Sequence, residues 1–231
     1  MDNNAGFWEH LEVLRHSILR VLGAMLLLFA VAFVVVPYIF DNIILYAAHD
    51  VQVININVTT QFLTHISTSF WLAFVGTFPY MIYEAWRFVA PALYDGEKRP
   101  VRFAFTLGTL MFYAGCTVGY GVVFPVTFKF LANYQLGNNI INSISLDSYM
   151  ETLTAMVFIM GVMFELPLLT WLLSRLGILN KELLKRYRRH AIVALLVVAA
   201  IITPTGDPFT LMLVALPLYL LYELGIILSE K

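Results

Sequence analysis

One glutamate, Glu165, lies within an apolar stretch of the sequence that reads GVMFELPLLT, two residues before Pro167. Its nearest charged neighbours along the chain are Glu151 and Arg175. An ionised carboxylate at the centre of a bilayer costs about 2.5–3.5 kcal/mol on insertion scales, so such a side chain should face protein or a water-filled cavity. Either Glu165 lines a functional concavity, which we favour, or it is hydrogen-bonded to a neighbouring helix.

Two further polar residues share the predicted helix face of Glu165. With a helical periodicity of about 100° per residue, Thr154 and Glu151 fall within about 40° of its direction. The sequence therefore predicts a polar stripe that leads from one end of this helix to its middle.

Other carboxylates lie beside aromatic residues in two polar segments. Glu84 and Glu97 belong to EAWRFVAPALYDGEKR, and Glu12 belongs to FWEHLEVLRHSILR. Carboxylates beside aromatic rings can bind guanidinium groups through forked hydrogen bonds and stacking. The alternative is a set of local ion pairs, Glu97 with a basic neighbour and Glu12 with Arg15 three residues on. Spacing alone favours the local pairs.

The sequence lacks the motifs of common enzyme sites. It contains no GxxxxGK[ST] phosphate loop, no HExxH zinc motif and no GxSxG nucleophile motif. The five histidines are dispersed, and the single cysteine, Cys116, permits neither an internal disulfide nor a cysteine metal site. We therefore expect no enzymatic activity, no cofactor or metal, and no nucleic-acid partner.

The composition is that of a membrane protein. Of the 231 residues, 60% are hydrophobic and 13% are charged, whereas soluble domains are about half apolar and a quarter charged. The apolar residues form continuous blocks long enough to cross a hydrocarbon core of about 30 Å. We predict an all-α protein, a single domain over 1–231, with six transmembrane helices at 17–40, 67–88, 103–130, 148–173, 190–203 and 209–228.

Basic residues predict the orientation of these spans. Thirteen of the 14 lysines and arginines lie at the start of span 1, around the connections 2–3 and 4–5, or at the end of the chain. The exception is Lys129, at the far end of span 3. By the positive-inside rule both termini are cytoplasmic. Since no transit extension precedes span 1, we expect a bacterial cytoplasmic (inner) membrane.

Bent helices and a short fifth span predict a concave bundle. A proline inside a span removes a backbone hydrogen bond and bends the helix, although prolines are also simply commoner in membrane helices. Span 5 would be about 21 Å long, less than the hydrocarbon core. Gly115 and Gly119 predict a close helix contact. The in-span prolines are Pro79, Pro125, Pro167 and Pro217.

Five segments in order along the chain are HLEVLR (10–15), FVAPALYDGEKR (88–99), FELP (164–167), TPTGDPF (203–209) and ALPLYLLYELGI (215–226). All five resemble segments of the TatC family. The first resembles the family's HLxELR start and the second its first cytoplasmic loop. FELP resembles the fourth-span glutamate motif, TPTGDPF the connection between spans 5 and 6, and the final segment the last span. Members of this family are the multispanning core subunits of the twin-arginine protein translocase. The resemblance covers nearly the whole chain.

The resemblance implies a receptor for signal peptides with paired arginines, carried by folded proteins that are exported with the energy of the proton gradient. It implies that Glu97 is the main acceptor of the arginine pair, and that Phe88 and the segment 10–15 help to form the same cytoplasmic surface. We assign peptide binding to Leu11, Glu12, Arg15, Phe88, Pro91, Glu97 and Arg99.

The resemblance also implies two further sites. Glu165, with Thr154 and Glu151, would face the concave interior, and Asp207, with Thr203 and Pro204, would belong to the external (periplasmic) cap or to a partner contact. Single-span partner subunits, TatA- and TatB-like, would dock near spans 5 and 6. Other expected partners are the lipid bilayer and, left open, further copies of the chain.

Three positions depart from the family's pattern. The glutamate of HLxELR is replaced by Val13, and the adjacent Glu12 lies about 100° away on a helix. Glu84 stands where glutamine is frequent, which we expect to add negative charge near the receptor surface. Leu211 stands where many members have a polar glutamine, which weakens a polar partner contact in span 6.

Two other functions remain open. In a proton-coupled small-molecule carrier, Glu165 would be the proton site, but such carriers often show matched repeats, and the sequence shows none. In a scaffold without a receptor site, neutralising Glu97 would leave export intact.

Overall fold

The computed structural model describes residues 3–48, 51–90, 95–135, 142–175, 177–203 and 206–229, with the backbone alone for 3–10, 95–100 and 202. The all-α prediction is confirmed for this part of the chain, apart from one pair of two-residue parallel strands. The elements in chain order are α1 (Asn3–Ile39), β1 (Val53–Ile54), α2 (Thr60–Val89), α3 (Asp95–Val118), α4 (Phe124–Asn133), β2 (Ile144–Ser145), α5 (Leu146–Met163), α6 (Leu166–Arg175), α7 (Lys181–Arg186), α8 (Arg188–Ile202) and α9 (Pro208–Leu228).

Four helical stretches of the described chain are long and apolar enough to cross a membrane: Leu11–Ala48, Val101–Asn133, Leu146–Arg175 and Pro208–Leu228. They coincide with predicted spans 1, 3, 4 and 6. Helix α2, with 30 residues, and α8, with 15, occupy predicted spans 2 and 5. Helix α8 is about 22 Å long, in agreement with the predicted short span. The count of six spans and the cytoplasmic termini stay predictions.

The chain packs as two units. One contains Met1–Phe40 and His65–Thr109, and the other contains Asp41–Thr64 and Leu110–Lys231. A single domain over 1–231 stays a prediction.

Not every in-span proline interrupts its helix. Pro79 and Pro217 lie inside α2 and α9. Pro167 is the second residue of α6, and a turn at Phe164 and Glu165 separates α5 from α6. Because Pro167 has no N–H to donate to the carbonyl of Met163, the α-helical hydrogen-bond ladder fails there. The N–H of Glu165 instead bonds the carbonyl of Val162, three residues back, at 3.1 Å.

In the first unit, a histidine repairs a gap left by proline. Pro37, inside α1, cannot donate to the carbonyl of Phe33 four residues earlier. Nε2 of His65 lies 2.7 Å from that oxygen, and since a carbonyl only accepts, Nε2 carries the proton. The imidazole also stacks on the Phe33 ring with a centroid distance of 3.9 Å. The contact joins α1 to α2.

In the second unit, glycines let α3 and α5 approach closely, as the small-residue pair predicts. A Cβ on Gly115 would overlap the carbonyl oxygen of Met160, and one on Gly119 would lie 2.9 Å from the carbonyl of Met156. From the other side, a Cβ on Gly161 would lie 2.7 Å from Sγ of Cys116. The backbones therefore touch without intervening side chains.

Tyrosines hold the turns that follow α1 in the same unit. A π-helical turn, Phe40–Ile44, continues α1 and leaves carbonyls without regular helical donors. Tyr120 donates its hydroxyl to the carbonyl of Ile43 at 2.5 Å, and Tyr149 donates to that of Ile44 at 2.7 Å. Tyr120 belongs to a second π-helical turn, Gly119–Val123, that joins α3 to α4.

Candidate functional site

The amino-terminal part of α1 presents an exposed polar surface. Leu11, Glu12, Val13 and Arg15 are exposed. Glu12 and Arg15 form no ion pair with each other or with another residue in the described part of the chain. The local pair that spacing favoured is therefore absent, and the carboxylate of Glu12 is available to a ligand.

A cavity of about 250 Å³ lies between this part of α1 and the carboxyl end of α2. Its walls are almost entirely apolar, with Phe88 at one side and Leu14 at the other. Because Leu14 follows Val13 directly, the cavity adjoins the exposed α1 surface. The residues that line it are Leu14, Ser17, Ile18, Val21, Leu22, Met81, Glu84, Ala85 and Phe88.

An ion pair between an exposed arginine of α1 and a buried glutamate of α2 lies beside this cavity. Nη2 of Arg20 lies 3.0 Å from Oε2 of Glu84, whose residue is only 2% exposed. Tyr80 donates its hydroxyl to Oε1 of Glu84 at 3.0 Å, and Arg20 also donates to Oγ of Ser17 at 3.1 Å. The expectation that Glu84 adds negative charge to the surface is wrong, because the carboxylate is buried and neutralised by Arg20.

The remaining residues assigned to peptide binding are less fully described. The backbone of Glu97 and Arg99 lies in the first turns of α3, and their side chains lie outside the described part of the structure. Pro91 lies outside the described residues altogether. These three assignments stay predictions.

Glu165 occupies the turn between α5 and α6. Its side chain is half-buried, and the atom Oε1 is buried without a hydrogen-bond partner among the described residues. A buried polar atom without a partner costs about 1–3 kcal/mol, so a donor from water or from another polypeptide would stabilise this site. The hydrogen bond to a neighbouring helix, which was the alternative interpretation, is not formed by this atom.

The other two residues of the predicted stripe lie on α5. Glu151 is exposed, and the hydroxyl of Thr154 donates to the carbonyl of Met150 at 2.7 Å. Since α5 ends at Met163, a register that assumes one continuous helix does not extend to Glu165. A shared face for the three residues stays a prediction.

The cap residues have clear local roles. Asp207 is the N-cap of α9, where Oδ1 accepts from the N–H of Thr210 at 2.8 Å. Thr203 is buried, and its hydroxyl donates to the carbonyl of Ala199 at 3.0 Å. Gly206 has a φ of 56°, which suits glycine in this turn. Pro204 lies outside the described residues. Partner contacts at these positions stay predictions.

Sequence reasoning missed a second arginine–glutamate pair, in the other unit. Nη2 of Arg188 donates to Oε2 of Glu223 at 2.8 Å, and Tyr219 donates to Oε1 at 2.8 Å. Nε of Arg188 lies 2.8 Å from Oε1, but its N–H is not directed along that line. A tyrosine four residues before each glutamate, Tyr80 before Glu84 and Tyr219 before Glu223, is the signal that could have identified both pairs.

No group of three or more potential metal ligands occurs among the described residues.

Residues 9–217 match the family described as Sec-independent protein translocase protein (TatC). The chain is 34% identical to the protein of that name from Deinococcus radiodurans, covering 98% of this chain and 86% of the relative. It is 32% identical to the one from Aquifex aeolicus, covering 96% and 93%, and 36% identical to the one from Escherichia coli K12, covering 75% and 67%.

The fold matches solved structures of the same kind. One, described as the twin arginine translocase receptor TatC, superimposes with a TM-score of 0.83 at 32% identity, covering 95% of this chain and 97% of that one. A second, the same receptor in the detergent DDM, gives a TM-score of 0.85 at 31% identity, covering 96% and 100%.

Proposed function

The chain belongs to the TatC family of Sec-independent protein translocase proteins, and we propose that it is the receptor subunit that binds twin-arginine signal peptides at the cytoplasmic face of a bacterial inner membrane. Its relatives carry the name of a transport component, which is not an enzyme name. In this proposal six spans form a concave bundle with both termini in the cytoplasm.

The main support for peptide binding is the surface at the start of α1. Exposed Leu11, Glu12 and Arg15 adjoin an apolar cavity with Phe88 in its wall. Glu12 offers an unpaired carboxylate to a guanidinium group, and the cavity offers an apolar surface to the side chains that follow the arginines. We place Glu97 as the principal arginine acceptor and Pro91 and Arg99 beside it.

We propose that Glu165 receives a polar group of a partner helix or of the moving chain. The buried Oε1, which has no hydrogen-bond partner among the described residues, supports this role, as does the interruption of the helix at Phe164 and Glu165. Single-span partners would dock near α8 and α9, around Asp207, Thr203 and Pro204. The proton-motive force would drive transport.

Site-specific photo-crosslinking tests this assignment. A photoreactive phenylalanine analogue replaces Leu11 or Phe88 in the full chain in nanodiscs, and a labelled twin-arginine signal peptide is added. We expect crosslinks from both positions. The matched control is Val58, which is 97% exposed in the turn between β1 and α2 and predicted to be external. Crosslinks from Val58 alone would overturn the proposal.

A further inference from the structure

The connection between α6 and α8 is a strongly basic and well-formed surface segment. Gly177, with a φ of 72°, lies just after α6, and the N–H of Ile178 bonds the carbonyl of Leu173 at 2.9 Å. Asn180 then caps α7 by accepting from the N–H of Leu183 at 2.8 Å. From 181 to 189 the segment has one acidic residue, Glu182, and five basic ones: Lys181, Lys185, Arg186, Arg188 and Arg189.

Three contacts hold this segment on the end of α9. Tyr222 donates its hydroxyl to the carbonyl of Leu184 at 2.7 Å, and Nζ of Lys181 donates to the carbonyl of Ile227 at 3.3 Å. Arg188 is paired with Glu223 at 2.8 Å. These contacts use two of the five basic residues and fix the position of α7.

The side chains of the other three basic residues are exposed to solvent. Lys185, Arg186 and Arg189 are exposed, and their side chains have no hydrogen bond or ion pair with any residue in the described ranges. Exposed apolar side chains lie among them: Ile178, Leu183 and Tyr187. The surface thus combines unpaired cations with apolar groups, which is the composition of a segment at a membrane interface.

The short helix that follows brings this surface close to lipid. Helix α8 is about 22 Å long, against about 30 Å for a hydrocarbon core, so either the bilayer thins around it or the flanking residues are drawn to the headgroup layer. With α8 as the predicted fifth span, Arg189 at its start would in both cases lie at the depth of the lipid phosphates, where long basic side chains extend to the headgroups.

We propose that Lys185, Arg186 and Arg189 form a binding surface for the headgroups of anionic phospholipids, with Ile178, Leu183 and Tyr187 in the interfacial layer. Charge complementarity carries the choice of occupant, because clustered cations beside a span attract anionic lipids. A twin-arginine peptide would be repelled from the same surface. The lipid proposal therefore does not depend on the proposed peptide site.

Lipid selectivity of the full chain tests this proposal. The purified protein is reconstituted with spin-labelled phosphatidylglycerol or phosphatidylcholine, and the motionally restricted fraction gives the relative association of the two lipids. We expect the wild type to favour phosphatidylglycerol severalfold. The combined Lys185→Gln, Arg186→Gln and Arg189→Gln variant should lose most of that preference, and high salt should reduce it in the wild type.

Two further variants keep the test decisive. A charge-conserving variant, Lys185→Arg with Arg186→Lys and Arg189→Lys, should keep the preference. Glu182→Gln removes the only carboxylate of the segment 181–189 and should increase the preference for phosphatidylglycerol. This variant still tests the proposal if the triple glutamine variant fails to fold. Equal association of both lipids with the wild type would overturn the proposal and favour an acidic partner helix as the occupant. The proposal would also be overturned if neither the triple glutamine variant nor Glu182→Gln changed the lipid preference.

Discussion

At the residue scale, arginine recognition depends on where α1 places its carboxylate. Glu12 is exposed and unpaired, but it lies one residue before Val13, the position at which the family has its glutamate. Adjacent helix residues differ in direction by about 100°. A ligand that contacts one of these positions in a fixed pose would therefore contact the other poorly, and we predict that Glu12 replaces the family glutamate only in part.

We therefore expect Val13→Glu to strengthen the binding of a twin-arginine signal peptide. A well-formed charge-assisted hydrogen bond contributes about 1.5–3 kcal/mol. Because this site is exposed to solvent, the contribution is smaller, and we expect Kd to decrease only severalfold. Titration of a fluorescent peptide against the full chain in nanodiscs measures it. Val13→Gln serves as the control, because glutamine has the size of glutamate but no charge. An unchanged Kd for Val13→Glu would mean that Glu12 already makes the contact.

Residue types indicated which groups could bind arginine, but contacts between distant residues were beyond prediction. Arg20 and Glu84 are 64 positions apart, and Arg188 and Glu223 are 35 apart. Each pair forms only after two helices pack in a particular register, which local spacing does not specify. Local spacing also favoured a Glu12–Arg15 pair that the structure lacks, because a spacing of three residues permits an ion pair without requiring it.

At the element scale, α3 and α5 approach each other at Gly115, where an added Cβ would meet the closest neighbouring atom found for any described glycine of the second unit. A methyl group at Gly115 would overlap the backbone carbonyl of Met160, which cannot turn aside as a side chain can. The two helices would have to separate and lose packing along their shared face.

We expect Gly115→Ala to lower stability by about 1–3 kcal/mol and to reduce the thermal unfolding temperature in detergent. Static light scattering or tryptophan fluorescence on heating measures the shift. Gly23→Ala is the matched control, because a Cβ at Gly23 meets nothing within 4 Å and alanine favours helix. If Gly115→Ala unfolded at the wild-type temperature, α3 and α5 would not approach each other as closely as described.

Helix positions followed well from the sequence, and their interruptions did not. Continuous apolar blocks located spans 1, 3, 4 and 6, and the glycine pair located the close contact. The prolines were equivalent in sequence, yet Pro79 and Pro217 remain inside helices while α5 ends before Pro167. Whether a helix bends or breaks at proline depends on the neighbours that satisfy the freed carbonyl, which is a property of the packing.

At the scale of the whole molecule, the orientation in the membrane determines which surface meets the signal peptide. The distribution of lysine and arginine predicts cytoplasmic termini. This places the start of α1, the 2–3 connection and α7 on one side, and the turn around Val58 on the other.

Cysteine labelling in intact bacterial cells measures this orientation. A membrane-impermeant maleimide should label Val58→Cys in intact cells and Glu182→Cys only after the membrane is opened. Both positions are exposed, and the native Cys116 is buried, so the unmodified chain provides the background control. The reverse pattern would contradict the predicted topology and move the receptor surface outside.

Peptide discrimination tests the central claim most directly. The full chain in nanodiscs is titrated with a labelled twin-arginine signal peptide and with its twin-lysine variant, for the wild type, for Glu97→Gln and for the exposed control Glu182→Gln. Lysine cannot form the planar forked contact of a guanidinium group, so we predict that the wild type and Glu182→Gln bind the arginine peptide at least about tenfold more tightly. We predict that Glu97→Gln loses this preference. Equal binding of both peptides to the wild type, unaffected by Glu97→Gln, would contradict the assignment of this chain as the twin-arginine receptor.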